Sequence, residues 1–138
     1  MSPLLENQVT TLRSEIEQKV AALGAVQPWN HNFTLVEGVQ TKPGVQNSQG
    51  KNLVKLERLD PLFEALSVSG RRVLDVGCNE GFFSVQLVRR GAQVLGIDID
   101  EHRIEKARFV QGLIAPGLDL RFEKMDIYSD DFRQLPRF

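Results

Sequence analysis

Apolar residues recur at spacings of three and four along the first stretch of the chain, at Leu5, Val9, Leu12, Ile16, Val20 and Leu23. Arg13, Glu15, Glu17 and Lys19 fall mostly off that stripe. The period is that of an α-helix with one apolar face, and it predicts a helix over residues 2–23. Ser2 suits its cap and Pro3 its first turn, where the missing N–H would be an orphan donor anyway. Gly24 is the expected stop. Such a stripe serves either packing on the chain's own domain or a short two-chain coiled coil. The first is the expectation, because about three heptads is near the lower limit for the second.

From Gln27 to Asn52 the helical period disappears. Pro28 to Leu35 alternates like a strand, with Phe33 and Leu35 on one side, and Trp29 and His31 stand beside them. Gly38, Pro43, Gly44, Gly50 and the run Gln46-Asn47-Ser48-Gln49 read as loop, and a loop this long in a compact domain is disordered or serves as a lid. Packing of an N-terminal cover is the expected role of Trp29, and His31 has no second histidine or carboxylate cluster at metal-ligand spacing. Leu53, Leu56, Leu59, Leu62, Phe63 and Leu66 restore a helical stripe over about 52–66. Pro61 inside it predicts a kink or a restart, with Asp60 capping a second piece.

The densest pattern follows. Val73-Leu74-Asp75-Val76 is a short apolar run that breaks at Gly77, passes Cys78-Asn79-Glu80 and restarts at Gly81 as a helix carrying Phe82, Val85, Leu87 and Val88. A second apolar run, Val94 to Ile97, ends on Asp98. Asp100 then caps a helix that begins at Glu101 and continues toward Leu113, closed by Pro116-Gly117. Leu118, Leu120 and Phe122 alternate with Asp119, Arg121 and Glu123 as a third strand leading to Met125-Asp126-Ile127. Strand, glycine turn, helix, strand and acid make the first half of a doubly wound nucleotide-binding unit. The expected fold is α/β: a Rossmann-like parallel sheet represented by its first three strands and preceded by a helical region. Residues 1–52 form the expected helix and lid region, and residues 53–138 the partial ligand-binding domain.

Composition narrows the class. The 138 residues are 41% hydrophobic and 25% charged, as in ordinary globular proteins, and the net charge of -1 offers no global attraction for a polyanion. A single cysteine excludes an intrachain disulfide and a multi-cysteine metal site, and no metal site is expected. No apolar run approaches the roughly 20 residues of a membrane span, and no signal-peptide pattern opens the chain. The expectation is a cytoplasmic protein without a membrane partner.

The chemistry of the turn selects a ligand. Gly77 and Gly81 permit positive φ and close approach of a ligand to the backbone, while the following helix presents its positive end. Asp98 lies 17 residues beyond Gly81 and has two oxygens with which to accept the hydroxyls of a ribose diol. Asp126 after the third strand is placed to accept the exocyclic amine of adenine, with Ile97, Ile99, Phe82 and Ile127 as apolar walls. A dinucleotide fingerprint wants G-x-G-x-x-G, but Asn79 and Phe82 stand where its second and third glycines would be. Asp75 and Glu80 put two carboxylates near the phosphate position, which favours a cationic ligand over NAD.

These residues carry a resemblance. Val73 to Gly81 is similar to the first motif of class I S-adenosylmethionine-dependent methyltransferases, Val94-Leu95-Gly96-Ile97-Asp98 to their second and Lys124-Met125-Asp126-Ile127 to their third. The resemblance covers about residues 70–130. It implies S-adenosyl-L-methionine as cofactor, with Asp75 and the turn Gly77-Cys78-Asn79-Glu80-Gly81 on the methionine part, Asp98 on the ribose, and Asp126 and Ile127 on the adenine. Asn79 departs from the family's commonest glycine. Upstream, Phe33-Thr34-Leu35, Gly38-Val39 and Thr41 resemble methyltransferase-like enzymes that modify the wobble uridine of tRNA, which would put Trp29, Lys42, Lys51 or Lys55 near the substrate.

Methyl transfer to an unidentified acceptor, a small molecule or tRNA, is therefore the leading expectation. A non-catalytic adenosyl-ligand module or a truncated gene product is the alternative, and a nicotinamide-dependent oxidoreductase is disfavoured by Asp75, Asn79 and Glu80. In the family the first strand is central and acceptor-positioning residues come just after the fourth strand. No catalytic base is nameable here, and a second chain or a C-terminal half is expected to cover the first strand's edge.

Overall fold

A computed structural model describes residues 2–44 and 46–138, with side chains described outside 45–53. Three parallel strands form its centre: β1 (Arg72–Val76), β2 (Gln93–Asp98) and β3 (Leu120–Lys124), in the order β1-β2-β3. Helix α3 (Phe82–Arg89) links the first two and α4 (Glu101–Ile114) the second two. The long α1 (Pro3–Val26) and α2 (Gln46–Ala65) precede the sheet, and the one-turn α5 (Asp130–Arg133) follows it. The incomplete doubly wound α/β sheet expected from the sequence is present.

Strand alternation explains the core. Val94 and Leu120 on one face join Val85, Val88, Ile104 and Ala107 in a buried cluster between sheet and helices. The register sets Gly96 of β2 beside Asp75 of β1 and Phe122 of β3. A Cβ at Gly96 would lie 2.6 Å from the Phe122 ring and 3.0 Å from Ser84 Oγ, so this strand position has no room for a side chain. Asp100 caps α4 as predicted, accepting from the backbone N–H groups of His102 and Arg103.

The N-terminal region forms a second cluster against the helices. Ile16, Val20 and Leu23 of α1 bury with Trp29, Phe33, Leu35, Val39, Phe82 and Val110. Each large side chain removed from water there contributes roughly 1.5–3 kcal/mol. The stripe on α1 thus packs on its own domain through its second half, while Leu5 and Leu12 remain exposed.

Several boundaries differ from expectation. Helix α1 runs past Gly24 to Val26, because the Trp29 indole packs where a Cβ at Gly24 would sit, 3.0 Å from Trp29 Cδ1. The alternation at 28–35 makes no strand; Phe33 and Leu35 are both buried, and the segment holds a single antiparallel bridge, Thr34 to Gln40, around a 3-10 turn at Val36–Gly38. The polar run expected as loop opens α2 at Gln46 instead. Pro61 lies within that helix, and Asp60 pairs with Arg90 rather than capping a restart. The side chains of Lys51 and Leu53 fall outside the described residues. The third strand starts at Leu120, after a turn through Gly117 with φ +73°.

Candidate functional site

The carboxyl ends of the three strands open on one cleft of about 440 Å³. Val76 and Gly77 line it from β1, Ile97, Asp98 and Ile99 from β2, and Met125, Asp126, Ile127 and Tyr128 from β3, with Asn79 and Arg103 at its rim. A second cleft of about 270 Å³ lies at the opposite ends of the strands, where Arg72, Gln93 and Asp119 begin them and Leu135, Pro136 and Phe138 fold back. Ligands of doubly wound sheets bind beyond the carboxyl ends, so the first cleft is the candidate.

Asp98 organises it. The carboxylate is 5% exposed, accepting from the backbone N–H of Asn79 at 2.9 Å through one oxygen and from that of Asp100 at 3.0 Å through the other. A carboxylate has about four acceptor sites, so two such bonds leave capacity for the two hydroxyls of a diol. Arg103 Nη1 stands 3.8 Å away and moderates the negative charge. Asn79 holds a left-handed backbone, φ 54°, a conformation that asparagine tolerates better than most residues.

Gly77, φ +70°, has nothing within 4 Å of where its Cβ would be, so its backbone forms an open cradle facing the cleft. Gly81 is needed for another reason: a Cβ there would meet the Phe122 ring at 2.4 Å, in a backbone with φ +83°. At the third strand, Asp126 Oδ1 accepts from the Tyr128 N–H at 2.8 Å, a local turn that fixes the carboxylate at the cleft's edge. Ile99 and Ile127 are exposed walls on either side.

The residues singled out in the sequence divide into two groups. Gly77, Asn79, Asp98, Ile99, Asp126 and Ile127 line the cleft, and Asp75, Cys78, Gly81 and Phe82 are not among its lining residues. Asp75 accepts from Ser84 Oγ at 2.6 Å; burial, and to a lesser degree Asp98, push its carboxyl above the usual range against the pull of that bond. Burial, with Asp75 and Asp98 nearby, pushes the Cys78 thiol up to about 12. Phe82 does not wall the cleft: its ring stacks on His31, with centroids 5.8 Å apart, and meets Phe83 edge-on.

Glu80 also differs from its expected role. It is fully buried and turned away from the cleft, with Lys106 Nζ at 3.3 Å from Oε1. It therefore adds no free negative charge to the ligand position, and the selection against a polyanion rests on Asp98 and Asp75. Trp29, expected from the tRNA-enzyme resemblance near a substrate, is buried and donates its indole N–H to Val20 O at 3.0 Å. The sequence reading missed Arg103, Met125 and Tyr128. Arg103 lies one helical turn after the cap Asp100, and Met125 and Tyr128 flank the two residues chosen, so proximity to the strand ends was their only signal.

Comparison with known proteins shows a family likeness over the sheet region. A family described as a methyltransferase domain matches residues 67–134, the span that builds the sheet and the cleft. This region is similar to that methyltransferase domain family. It is 36% identical over 83 residues to the ubiquinone biosynthesis O-methyltransferase of Dechloromonas aromatica, covering 59% of this chain and 35% of that enzyme. The corresponding enzyme of Hahella chejuensis is 49% identical over 51 residues. Among solved structures, the N-terminal domain of EvdMO1 with SAH bound superimposes with a TM-score of 0.71 at 26% identity, over 91% of this chain and 51% of that one. Magnesium protoporphyrin IX methyltransferase of Synechocystis PCC 6803, also with SAH bound, gives 0.52 at 28% identity, over 64% and 39%. The chain thus spans about a third of the Dechloromonas enzyme and half of the EvdMO1 domain. Among the described residues, no three His, Cys, Asp or Glu side chains gather as a metal site, and no helix is long and apolar enough to cross a membrane.

Proposed function

We propose that this chain is the cofactor-binding half of an S-adenosyl-L-methionine-dependent methyltransferase. The observation that carries the reading is the joint placement of Asp98 and Asp126 at the mouth of one cleft, with the side-chain-free cradle of Gly77 between β1 and the ligand space. The donor set fits the cofactor. Asp98 retains acceptor capacity for the ribose hydroxyls, Asp126 and Ile127 suit the adenine, and the backbone of Gly77 to Asn79 suits the methionine part. Asp75, Cys78, Gly81 and Phe82 support that turn from behind rather than touching the ligand.

The bound cofactor would supply an electrophilic sulfonium methyl. This chain's own residues bind and orient it: the turn after β1 fixes one end, Asp98 the middle, and the β3 end the other, the positioning on which an in-line displacement depends. The acceptor is a small molecule or tRNA, and the ubiquinone relatives favour the small molecule. Helix α1 and the segment that follows it serve as cover, and the sheet with its helices as the cofactor domain. Beta-strand β1 pairs only with β2 among the described residues, and Val76 at its end is exposed. A C-terminal half or a second chain supplies the partner for that edge.

Calorimetric titration with S-adenosylhomocysteine tests the reading, with NADH as the control. Saturable binding of the first, lost in Asp98→Ala, is expected; preference for NADH would favour the oxidoreductase alternative instead.

A further inference from the structure

Glu80 is the most completely enclosed carboxylate near the turn, and nothing in cofactor binding uses it. Its partners come from two other parts of the chain. Oε1 accepts from the Asn30 N–H at 2.9 Å, and Oε2 from the His31 N–H at 2.8 Å and faces His31 Nδ1 at 3.2 Å. Lys106 Nζ of α4 lies 3.3 Å from Oε1, donates to Pro28 O at 3.0 Å and sits over the Trp29 ring. Residues Gln27 to His31 are thereby strapped across the turn. Further bonds lead into the cleft itself: Asn30 Nδ2 donates to Asn79 Oδ1 at 3.2 Å, and Gln27 Nε2 to Asp100 Oδ2 at 2.7 Å. Asn79 in turn gives its N–H to Asp98.

A buried carboxylate with this many donors from distant segments is costly to leave half-satisfied. If the strap lifts, Glu80 loses its hydrogen bonds to Asn30 and His31, and Asn79 loses the side-chain partner that opposes its left-handed backbone relaxing. The orientation of the Asn79 N–H toward Asp98 depends on that backbone.

We propose that Glu80 is a positioning residue for the cofactor turn, coupling the seating of the Gln27–His31 strap to the binding of an adenosyl ligand in the Asp98 cleft. The inference rests on the adenosyl reading of that cleft. Linkage requires the coupling to act in both directions: a seated strap tightens the ligand by the factor by which the ligand tightens the strap.

The test is hydrogen exchange of the full chain, with and without saturating S-adenosylhomocysteine, read at the backbone amides of Asn30 and His31, alongside calorimetric affinity. In the wild type, ligand is expected to slow exchange at these amides by about five- to tenfold, the lower part of the usual coupling range. Glu80→Gln, which keeps an acceptor and loses the charge, is expected to weaken S-adenosylhomocysteine by a similar factor and to abolish the ligand-dependent protection. Asn30→Ala removes only the exposed bridge to Asn79 and leaves the buried cluster whole, so it decides the matter if Glu80→Gln fails to fold. It is expected to weaken the ligand severalfold and to reduce the protection. Wild-type binding with unchanged exchange at Asn30 and His31, or unchanged affinity in Asn30→Ala, overturns this inference and leaves the adenosyl reading standing. Absence of binding by the wild type overturns both.

Discussion

The backbone N–H of Asn79 donates to the carboxylate of Asp98 at 2.9 Å, joining the turn after β1 to the acid that ends β2. The two residues are 19 apart in sequence, and the bond fixes the acid's orientation relative to the turn. Asp98→Asn keeps the shape but loses the charge and replaces one acceptor oxygen by a donor. Hydrogen bonds to a charged group contribute about 1.5–3 kcal/mol. The expected result is a loss of S-adenosylhomocysteine affinity of about 10- to 150-fold, read by calorimetry.

Gly77 and Gly81 have opposite sensitivities. Gly81→Ala drives a methyl into the Phe122 ring in a left-handed backbone, and the strain and overpacking together cost about 2–5 kcal/mol. Gly77→Ala meets open space and costs about 1–2 kcal/mol of backbone strain, but places its methyl where a ligand would lie. Denaturant unfolding is expected to separate Gly81→Ala from the wild type more than Gly77→Ala, whereas cofactor titration ranks Gly77→Ala as severely impaired.

The buried Glu80 carboxylate and its hydrogen-bond donors make stability depend on acidity. Burial alone would push the Glu80 carboxyl up, but the His31 ring, the Asn30 and His31 N–H groups and the Lys106 ammonium together hold it below its ordinary value of 4.5. Around and below that pH the unfolded chain binds more protons than the folded one, so stability rises with pH. The contribution is fully present above about 4.5 and is lost as the pH falls through the lower folded value. Melting temperatures measured from pH 7 to pH 3 should show a shallower acid fall in Glu80→Gln than in the wild type. Lys106→Met, which strips the ammonium from a buried carboxylate, is expected to cost about 3–5 kcal/mol at pH 7.

Asp75 has the opposite sign. Its carboxyl is raised above the ordinary value, mainly by burial, so its ionisation opposes folding at neutral pH. Asp75→Asn can still accept from Ser84 Oγ. Calorimetric melting at pH 7.5 should give a transition temperature equal to or higher than wild type; a fall of many degrees would contradict this account.

Cys78 should be inert in the native state. Its thiol is buried and shifted up to about 12, so almost no thiolate exists at pH 8. Iodoacetamide at pH 8 is expected to label it only after denaturation, as read by intact mass.

Local patterns in the sequence were enough for β1, the Gly77–Gly81 turn, α3, β2 and the Asp100-capped α4, because period, glycine placement and capping chemistry act within a few residues. The cleft residues Asp98 and Asp126 followed from their positions at strand ends. Tertiary structure alone decided which way Glu80 points, since its partners Asn30 and His31 lie 50 and 49 residues away and no local window contains them. It also decided that Gly24 stays helical beneath Trp29 and that Phe82 turns to His31 instead of the ligand. At Gly24 packing under Trp29 outweighed a local preference worth about 1 kcal/mol, whereas for Glu80 and Phe82 buried contacts with distant segments set the orientation.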